Sequence, residues 1–375
     1  MKALRGVSRS AAQSLWRTHQ EIRGPSAFLG KNFLPWLWNY LKVVGTPRWK
    51  FPGYRAAAAD HPGCFTIPDS CVIGLASDWG TGTESAYRVS DAIATLRPDI
   101  TIHLGDVYYS GTLEEYRTYF LGEGDWPRGR LRTHALNANH EMYSGGEGYF
   151  GAALPALGQE TSYFCLENAH WRIVALDTGY YAKSVPFLEL VVNFIRLHRD
   201  TRRWLADVVF ADARDRRPVI LLSHHQWFSA FDSEYKRIGA ELAPYLDRVL
   251  LWFWGHEHRL AGYASFGFGG ATVRARCIGH GGMPIEIGKA PQRSDRPLVF
   301  TDERQAGSVD GEPIGYCGYV VLRLDGPALV VQYVDEMRNT LLEERWSVDA
   351  GGVRGAVALG GQLKTVRPLS DLVSS

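Results

Sequence analysis

The chain has 375 residues, and its 41 lysines and arginines nearly balance 40 aspartates and glutamates, giving a formal net charge of +1. Hydrophobic residues make up 45% of the chain and charged residues 22%, as in ordinary globular proteins. These values exclude a largely disordered chain, a collagen, a coiled coil and a polytopic membrane protein. The length fits one large domain or two modest ones, and either can bury a sizeable core.

The first 50 residues carry most of the charge asymmetry. They contain nine lysines or arginines and one acid, Glu21, for a net charge of +8, which leaves −7 for the rest of the chain. Residues 28–44 are strongly apolar and include Trp36 and Trp38, but two lysines and a proline interrupt them, and they fall short of the roughly 20 residues that a membrane span needs. The segment predicts a short helix that either packs onto the main domain or lies in a membrane interface.

The cysteines and the N-terminus bear on the cellular compartment. The chain has five cysteines, an odd number without a Cys-x-x-Cys pair, so we expect no disulfide framework and a reducing compartment. The N-terminus lacks the long apolar region and the cleavage site of a secretory signal. We therefore expect a cytoplasmic protein, in which residues 1–50 are either a frayed basic tail or a peripheral contact with an anionic membrane.

Beyond Pro68, short apolar runs alternate with helical stretches, which predicts an α/β core. The predicted strands are Cys71–Ala76, Ile100–Leu104, Trp171–Leu176, Val219–Leu222, Val249–Trp254 and Thr272–Ile278, and the predicted helices are Glu84–Leu96 and Thr112–Leu121. Further on, Tyr319–Leu324 and Ala328–Tyr333 flank Asp325-Gly326-Pro327, which indicates a hairpin and hence a mixed sheet or two sheets. Residues 349–375 are rich in glycine, valine and serine and predict a loose tail.

Most of the early strands are followed by a cluster of polar residues. The five clusters are Ser77-Asp78-Trp79-Gly80, Gly105-Asp106-Val107-Tyr108-Tyr109, Ala138-Asn139-His140-Glu141, Ser223-His224-His225-Gln226 and Gly255-His256-Glu257-His258. Because ligands of open α/β sheets gather at the carboxyl ends of strands, we expect the clusters to converge on one crevice. Carboxylate, amide and imidazole donors suit divalent first-row metals. Two ions about 3.5–4 Å apart form a clamp for displacement at phosphorus. Asp106 would bridge them, one oxygen to each ion.

This series resembles the calcineurin-like metallophosphoesterase superfamily over roughly residues 70–336. Two positions depart from the superfamily pattern: Ala138 stands where a glycine is usual, and Gly80 stands where the first block usually has a histidine. The purple acid phosphatase branch shares this glycine and supplies a tyrosinate three residues after the bridging aspartate, which is the position of Tyr109. The first metal site therefore resembles that branch.

The resemblance implies a fold and a set of roles. The fold is α/β, a four-layer α/β/β/α sandwich of two mixed sheets over residues 67–348, with a short helical extension at 1–66 and a flexible tail at 349–375. The first metal ligands would be Asp78, Asp106, Tyr109 and His258, and the second set would be Asp106, Asn139, His224 and His256. His225 stands as an alternative to His224. His140 would be the catalytic residue that faces the substrate, stabilising phosphoryl oxygens or protonating the leaving group.

The predicted function is hydrolysis of a phosphoric ester by a hydroxide that bridges two metal ions, either divalent or mixed-valence Fe, Mn or Zn. We expect a small phosphate ester as substrate, because the body of the chain is not basic and a long nucleic acid is therefore disfavoured. The alternative is a non-catalytic scaffold of the same fold that binds a partner protein. Loss of ligands would indicate the scaffold, and only the first-block histidine is absent.

Overall fold

The computed structural model describes residues 41–43, 45–54, 62–122, 124–182, 195–349 and 352–374. The α-helices are α1 (Glu84–Thr95), α2 (Leu113–Tyr119), α3 (Asn139–Tyr143), α4 (Leu154–Leu157), α5 (Arg199–Trp204) and α6 (Lys236–Leu242). Two π-helical turns follow α-helical or loop segments at Tyr149–Ala153 and Leu205–Val209, and two 3₁₀ turns lie at Ala243–Arg248 and Leu369–Leu372. Among the described residues, no helix has both the length and the apolar character that crossing a membrane requires.

Short apolar runs form the strands, and many of these strands are buried along their whole length, as expected for sheets covered on both faces. The first ten strands are β1 (Cys64–Thr66), β2 (Ser70–Ala76), β3 (Ile100–His103), β4 (Arg132–Ala135), β5 (Phe164–Glu167), β6 (Arg172–Leu176), β7 (Val219–Ser223), β8 (Val249–Trp254), β9 (Leu260–Tyr263) and β10 (Phe266–Phe268). They are followed by β11 (Ala271–Val273), β12 (Ala275–Ile278), β13 (Ile285–Glu286), β14 (Leu298–Thr301), β15 (Gln305–Val309), β16 (Glu312–Gly315), β17 (Gly318–Asp325), β18 (Ala328–Asp335), β19 (Thr340–Asp349), β20 (Gly352–Leu359) and β21 (Lys364–Thr365).

Two large mixed sheets organise these strands. A nine-stranded sheet has the order β1-β5-β6-β7-β8-β12-β9-β14-β21, and a seven-stranded sheet has the order β20-β19-β18-β17-β2-β3-β4. Strands β6, β7, β8 and β12 are parallel neighbours in the first sheet, and β2, β3 and β4 are parallel neighbours in the second. The carboxyl ends of each parallel set lie along one edge of its sheet, and these edges carry the polar clusters.

The two sheets pack face to face, and helices cover their outer faces. The largest core joins both sheets, with Ile73 and Leu322 from the seven-stranded sheet and Phe253 from the nine-stranded sheet. A second core packs Trp204 and Leu242 of the helices against the outside of the nine-stranded sheet, and a third packs the first two helices against the other sheet. The structure therefore confirms the α/β class and the four-layer sandwich of two mixed sheets.

A buried ion pair also connects the two sheets. The guanidinium of Arg276, on β12, donates to both carboxylate oxygens of Glu344, on β19, over 2.7 and 3.0 Å, and both side chains are fully buried. The Tyr333 hydroxyl and the Trp346 indole also donate to Glu344, and Arg276 donates to three backbone carbonyls. All the charge is therefore hydrogen-bonded, which is the condition for tolerating it in a core.

The predicted helices and most of the predicted strands are present, with bounds that differ by about two residues at most. The predicted strand Thr272–Ile278 is two strands, because β11 pairs with β10 in a separate two-stranded sheet while β12 joins the large one. Asp325 pairs with Ala328 across the predicted hairpin turn. All five cysteines are free thiols, and four of them are buried.

The C-terminus differs from the predicted loose tail. Strand β20 pairs along its whole length with β19 at the edge of the seven-stranded sheet, and β21 pairs with β14 in the other sheet. Leu372 is fully buried. Backbone hydrogen bonds to an open sheet edge do not depend on side-chain type, so composition alone misleads here. At the other end, residues 41–43 are helical, and the rest of the predicted 28–44 helix lies outside the described residues.

Candidate metal centre

The backbone turns sharply where the chain leaves the parallel strands. Asp78, Asp106 and His256 have positive φ angles of 58°, 73° and 65°, which non-glycine residues rarely adopt and which cluster at functional sites. The first two loops are hydrogen-bonded to each other, since the N–H of Asp78 donates to the Gly105 carbonyl over 2.9 Å. Gly105 has a φ of +105°, and a Cβ there would lie 2.6 Å from that of Ala138. The chain can therefore bring the loops this close only with a glycine at 105.

Asp106 lies at the middle of the site and is 1% exposed. Its Oδ2 is 3.2 Å from the Tyr108 hydroxyl and 3.4 Å from Nε2 of His224. Its Oδ1 accepts the backbone N–H of His140 over 3.2 Å. The sequence predicts one oxygen of Asp106 for each ion, whereas in the structure a single oxygen, Oδ2, faces both groups of donors.

The first group of donors surrounds Asp78. Its Oδ1 lies 3.5 Å from Nε2 of His258 and 3.1 Å from the Tyr108 hydroxyl, and that hydroxyl is 3.1 Å from the same nitrogen of His258. The other oxygen of Asp78 accepts the backbone N–H of His256 over 2.9 Å, which ties the first loop to the last. Asp78, Asp106 and His258, all predicted for the first site, therefore lie together.

The tyrosine at this group is Tyr108, which the sequence analysis passes over in favour of Tyr109. Tyr109 contributes backbone atoms: its N–H donates to Glu115 over 2.6 Å, and its carbonyl accepts from Nδ1 of His140 at 2.5 Å. Adjacent tyrosines at 108 and 109 cannot be told apart by spacing alone, because the loop conformation decides which hydroxyl reaches the carboxylates. Tyr109 as a ligand stays a prediction, with Tyr108 as its rival.

The second group of donors includes three predicted ligands and Asp106. Nε2 of His224 lies 3.1 Å from Oδ1 of Asn139, and Nδ1 of His224 hydrogen-bonds to the Leu104 carbonyl over 3.0 Å. A carbonyl can only accept, so the proton of neutral His224 sits on Nδ1 and Nε2 keeps a free lone pair. Nε2 of His256 lies 2.9 Å from the Tyr235 hydroxyl, and a ring nitrogen of His256 lies within 4.8 Å of donors on His224 and His225.

His140 is oriented by the carbonyl of Tyr109. The hydrogen bond at Nδ1 places the ring proton there, so Nε2 points toward the centre and lies 3.8 Å from Oδ2 of Asp106. The ring packs against Tyr108 and Tyr143, with centroids 4.4 and 4.9 Å away, and is 9% exposed. The structure thus places His140 beside the donor groups with one free ring nitrogen.

Glu141 has a structural role that the sequence analysis did not assign. Its carboxylate accepts the backbone N–H groups of Asp106, Val107 and Ala138 over 2.8–3.2 Å, and the Tyr116 hydroxyl donates to it over 2.9 Å. The side chain therefore ties the loop of the bridging aspartate to the start of α3. Its position three residues after the helix cap, where an acid often turns back to the backbone, is the signal that identifies it.

Gly80, where the superfamily usually has a histidine, lies against the neighbouring loop. A Cβ at this position would be 2.9 Å from Cα of Val107 and 2.8 Å from its Cγ2. The N–H of Gly80 also donates to the Asp106 carbonyl over 3.3 Å. A histidine at position 80 would therefore clash with the backbone of Val107 in this arrangement of the loops.

The carboxylates and histidines of the site shift one another's pKa values. Burial alone raises the pKa values of Asp78 and Asp106, but neighbouring histidines, His224 among them, hold both below the usual value of an aspartate. Burial lowers the pKa of His224, yet Asp106 and Asp78 raise it to about 9. Burial and His224 together lower the pKa of His256 to about 4. The two carboxylates are thus anionic and His256 is neutral, and a bound cation would displace the proton of His224.

The donor atoms fit metal ions. Asp78, Asp106 and His224 offer donors that all lie within 4.8 Å of one another, and so do His224, His225 and His256. Ligands at right angles on an ion with bonds of about 2.1 Å lie roughly 3 Å apart. The closest pairs of donors, at 3.1 to 3.5 Å, need little movement to reach that spacing.

Several solved structures are similar to this chain at low sequence identity. No curated protein matches the chain in sequence. Among solved structures, the purple acid phosphatase PPD1 from yellow lupin (Lupinus luteus) seeds is 16% identical, over 72% of this chain and 53% of that one, with a TM-score of 0.49. PhoD is 14% identical, over 79% and 73%, with a TM-score of 0.49. Vacuolar Protein Sorting 29 from Cryptosporidium parvum is 10% identical, over 79% and 98%, with a TM-score of 0.31.

This chain spans about half the length of the lupin phosphatase. The family model described as calcineurin-like phosphoesterase matches residues 72–260, just over half of the chain, and this range includes every predicted site residue. The match supports metal-dependent phosphoester hydrolysis and implies divalent metal ions as cofactors. The chain belongs to the calcineurin-like phosphoesterase family.

Proposed function

We propose that the protein hydrolyses a small phosphoric ester at a centre of two metal ions. The first ion would be held by Asp78, Asp106, His258 and a tyrosine hydroxyl, and the second by Asp106, Asn139, His224 and His256. When bound, the ions would lower the pKa of a water from about 15.7 toward 7 and stabilise negative charge on the phosphoryl group. Oxygen and imidazole donors together suit divalent or mixed-valence Fe, Mn or Zn.

The position of Asp106 carries this proposal. One of its oxygens faces the first group of donors through Tyr108 and the second group through His224, at 3.2 and 3.4 Å. The other oxygen is held by the backbone N–H of His140. A carboxylate oxygen that is fixed in orientation and shared by two donor groups is what two adjacent ions need.

His140 is the residue we propose for acid catalysis or charge stabilisation. Its free Nε2 lies 3.8 Å from the shared oxygen of Asp106, close enough to face a substrate bound at the centre. When the ring is cationic, Nε2 carries a proton and can donate it to the leaving group or to a phosphoryl oxygen. The Tyr109 carbonyl engages Nδ1, so Nε2 is the ring nitrogen that faces the centre.

The retained donors favour an enzyme over a scaffold. Asp78, Asp106, Asn139, His224, His256 and His258 are all present and converge. Burying such a set of charged and polar groups without a ligand is costly, so a protein that only binds a partner through another surface has no physical reason to keep it.

The decisive experiment is an assay of the full chain against small phosphomonoesters and phosphodiesters. The protein is first stripped of metal with a chelator and then loaded in turn with Mn²⁺, Zn²⁺ or Fe²⁺. We expect no turnover without metal, turnover that saturates at two ions per chain, and no turnover in the Asp106→Asn variant, which keeps the shape of the side chain.

A folded, metal-loaded chain that hydrolyses neither ester class would contradict the proposal. Saturation at one ion would contradict the two-ion centre and leave general phosphoester hydrolysis standing. Circular dichroism of the wild type and the Asp106→Asn variant shows that both are folded before either conclusion is drawn.

A further inference from the structure

Two consecutive histidines, His224 and His225, follow β7, and both are fully buried. In an extended strand their side chains would point to opposite faces. Here their rings are 4.9 Å apart at 84° to each other, and both lie near His256, with centroids 5.3 and 4.7 Å away. The turn after β7 therefore brings three imidazoles together at the second metal site.

Thr178 holds the ring of His225 in place from the neighbouring strand end. Its Oγ1 accepts the backbone N–H of His225 over 3.0 Å and lies 3.0 Å from Nδ1 of the same residue. Thr178 is fully buried and sits in a turn anchored by Asp177, whose carboxylate accepts the N–H groups of Gly179 and Tyr180. The far nitrogen of His225, Nε2, is thus fixed in position by a hydroxyl on the near side.

Nε2 of His225 has no hydrogen-bond partner among the described residues, although it is buried. A buried polar atom without a partner costs about 1–3 kcal/mol, so such atoms need an explanation. The donors of His224, His225 and His256 lie within 4.8 Å of one another. An ion at the second site would be a partner for this nitrogen.

We propose that His225 is a third histidine ligand of the second metal ion, through Nε2, and that Thr178 is its positioning residue. With Nδ1–H donating to Thr178, Nε2 keeps its lone pair for the metal, which is the usual arrangement of a ligating histidine. The inference rests on the proposed function, because it needs the second ion. The inference also narrows the choice of metal in the proposed function, since three imidazoles favour Zn, Fe or Co over Mg or Ca.

The test is a Co²⁺ titration of the full chain, followed by visible absorption and by competition with a chelating indicator. His225→Asn is the informative variant, because its amide replaces Nδ1 next to Thr178 while the Nε2 atom is lost. We expect the wild type to bind two ions and the variant to bind the second ion at least 10-fold more weakly, with a changed Co²⁺ spectrum and an unchanged first ion.

Three further variants separate coordination from packing. His134→Asn is the matched control, because His134 is also buried and stacks on Phe164 at 4.1 Å, yet lies outside both donor groups. It should bind both ions as the wild type does. Thr178→Val should weaken the second ion on the order of 10- to 100-fold, and Thr178→Ser, which keeps the hydroxyl, should restore it.

The outcomes separate this inference from the function it rests on. A wild-type chain that binds fewer than two ions overturns the two-ion centre and this ligand with it. A wild type that binds two ions, combined with a His225→Asn variant of equal affinity and spectrum, overturns the ligand alone. The same holds if His225→Asn loses only turnover, because Nε2 would then serve the substrate, or if it loses no more affinity than His134→Asn.

Discussion

The hydroxyl oxygen of Tyr108 lies 3.1 Å from Oδ1 of Asp78. It is equally close to Nε2 of His258 and 3.2 Å from Oδ2 of Asp106, so it occupies the position of a fourth donor around one ion. Family resemblance gives this role to Tyr109, whose backbone atoms instead engage Glu115 and His140. Replacing each tyrosine in turn therefore distinguishes which of the two hydroxyls binds the first ion.

We expect iron-loaded protein to be coloured by charge transfer from a tyrosinate, and Tyr108→Phe to bleach this colour. The hydroxyl that the variant removes lies 3.1 Å from both Oδ1 of Asp78 and Nε2 of His258, so affinity for the first ion should fall while the second ion is spared. The measurement is the visible spectrum together with iron content. Tyr109→Phe is the matched control and should stay coloured; bleaching in Tyr109→Phe alone would return the role to Tyr109.

Asp106→Ala should remove nearly all activity, because both donor groups lose their shared oxygen. Metal analysis should show lower occupancy at both sites. Asn139→Ala, by contrast, should mainly empty the second site, since Asn139 lies next to His224 and not next to Asp78. An Asp106→Ala protein that retains two ions and near-normal turnover would show that the bridging assignment is wrong.

His140→Ala should keep both ions and lose turnover by about 10²–10⁴-fold if the residue transfers a proton. Its Nδ1 is held by the Tyr109 carbonyl, so Nε2 is the ring nitrogen that faces the centre, 3.8 Å from Oδ2 of Asp106. Rates on esters with a series of leaving groups distinguish the two roles. A general acid predicts a smaller loss with a very good leaving group, and pure charge stabilisation predicts an equal loss throughout; loss of metal would make His140 a ligand.

The buried pair of Arg276 and Glu344 predicts a large effect on stability. Glu344→Gln removes the carboxylate and leaves the guanidinium uncompensated between the sheets, which should cost about 3–5 kcal/mol in the free energy of unfolding. Urea denaturation measures it. The double variant Arg276→Met with Glu344→Leu should recover most of that loss, because no buried charge remains. A loss below about 1 kcal/mol in Glu344→Gln would mean that water reaches the pair.

Residues 1–45 should be dispensable for activity, whereas residues 46–51 should be needed for stability. The Trp49 N–H donates to the Gly145 carbonyl over 2.7 Å, and the Phe51 ring stacks on His198 with centroids 3.8 Å apart. A chain that begins at Thr46 should therefore keep its turnover on small esters and its melting temperature, whereas one that begins at Pro52 should be less stable.

The charge of the same segment gives a separate measurement. Because residues 1–45 contain seven lysines or arginines and one acid, for a net charge of +6, the full chain should bind anionic vesicles more tightly than the chain that begins at Thr46, and the difference should shrink as salt is added. Equal binding by both chains would contradict a membrane contact through the N-terminal residues. Neutral vesicles are the control.

The sequence alone was sufficient for the class of fold and for the convergence of the site. Short apolar runs separated by helices predict parallel strands, and parallel strands bring their carboxyl ends to one edge. Asp78, Asp106, Asn139 and His224 come together for that reason, without any knowledge of side-chain positions. The predicted helix at Thr112 also has a local signal, because it begins with a capping box between Thr112 and Glu115.

Only the tertiary structure decided where the side chains of adjacent residues lie around the centre. The directions of adjacent residues such as Tyr108 and Tyr109, or His224 and His225, depend on partners far away in sequence, for example Asp78 for Tyr108 and Thr178 for His225. The pairing of β20 with β19 also could not be predicted from the sequence, because backbone hydrogen bonds do not require a particular residue composition. Local patterns therefore determine where the strands end, whereas long-range contacts determine which atoms face the metal.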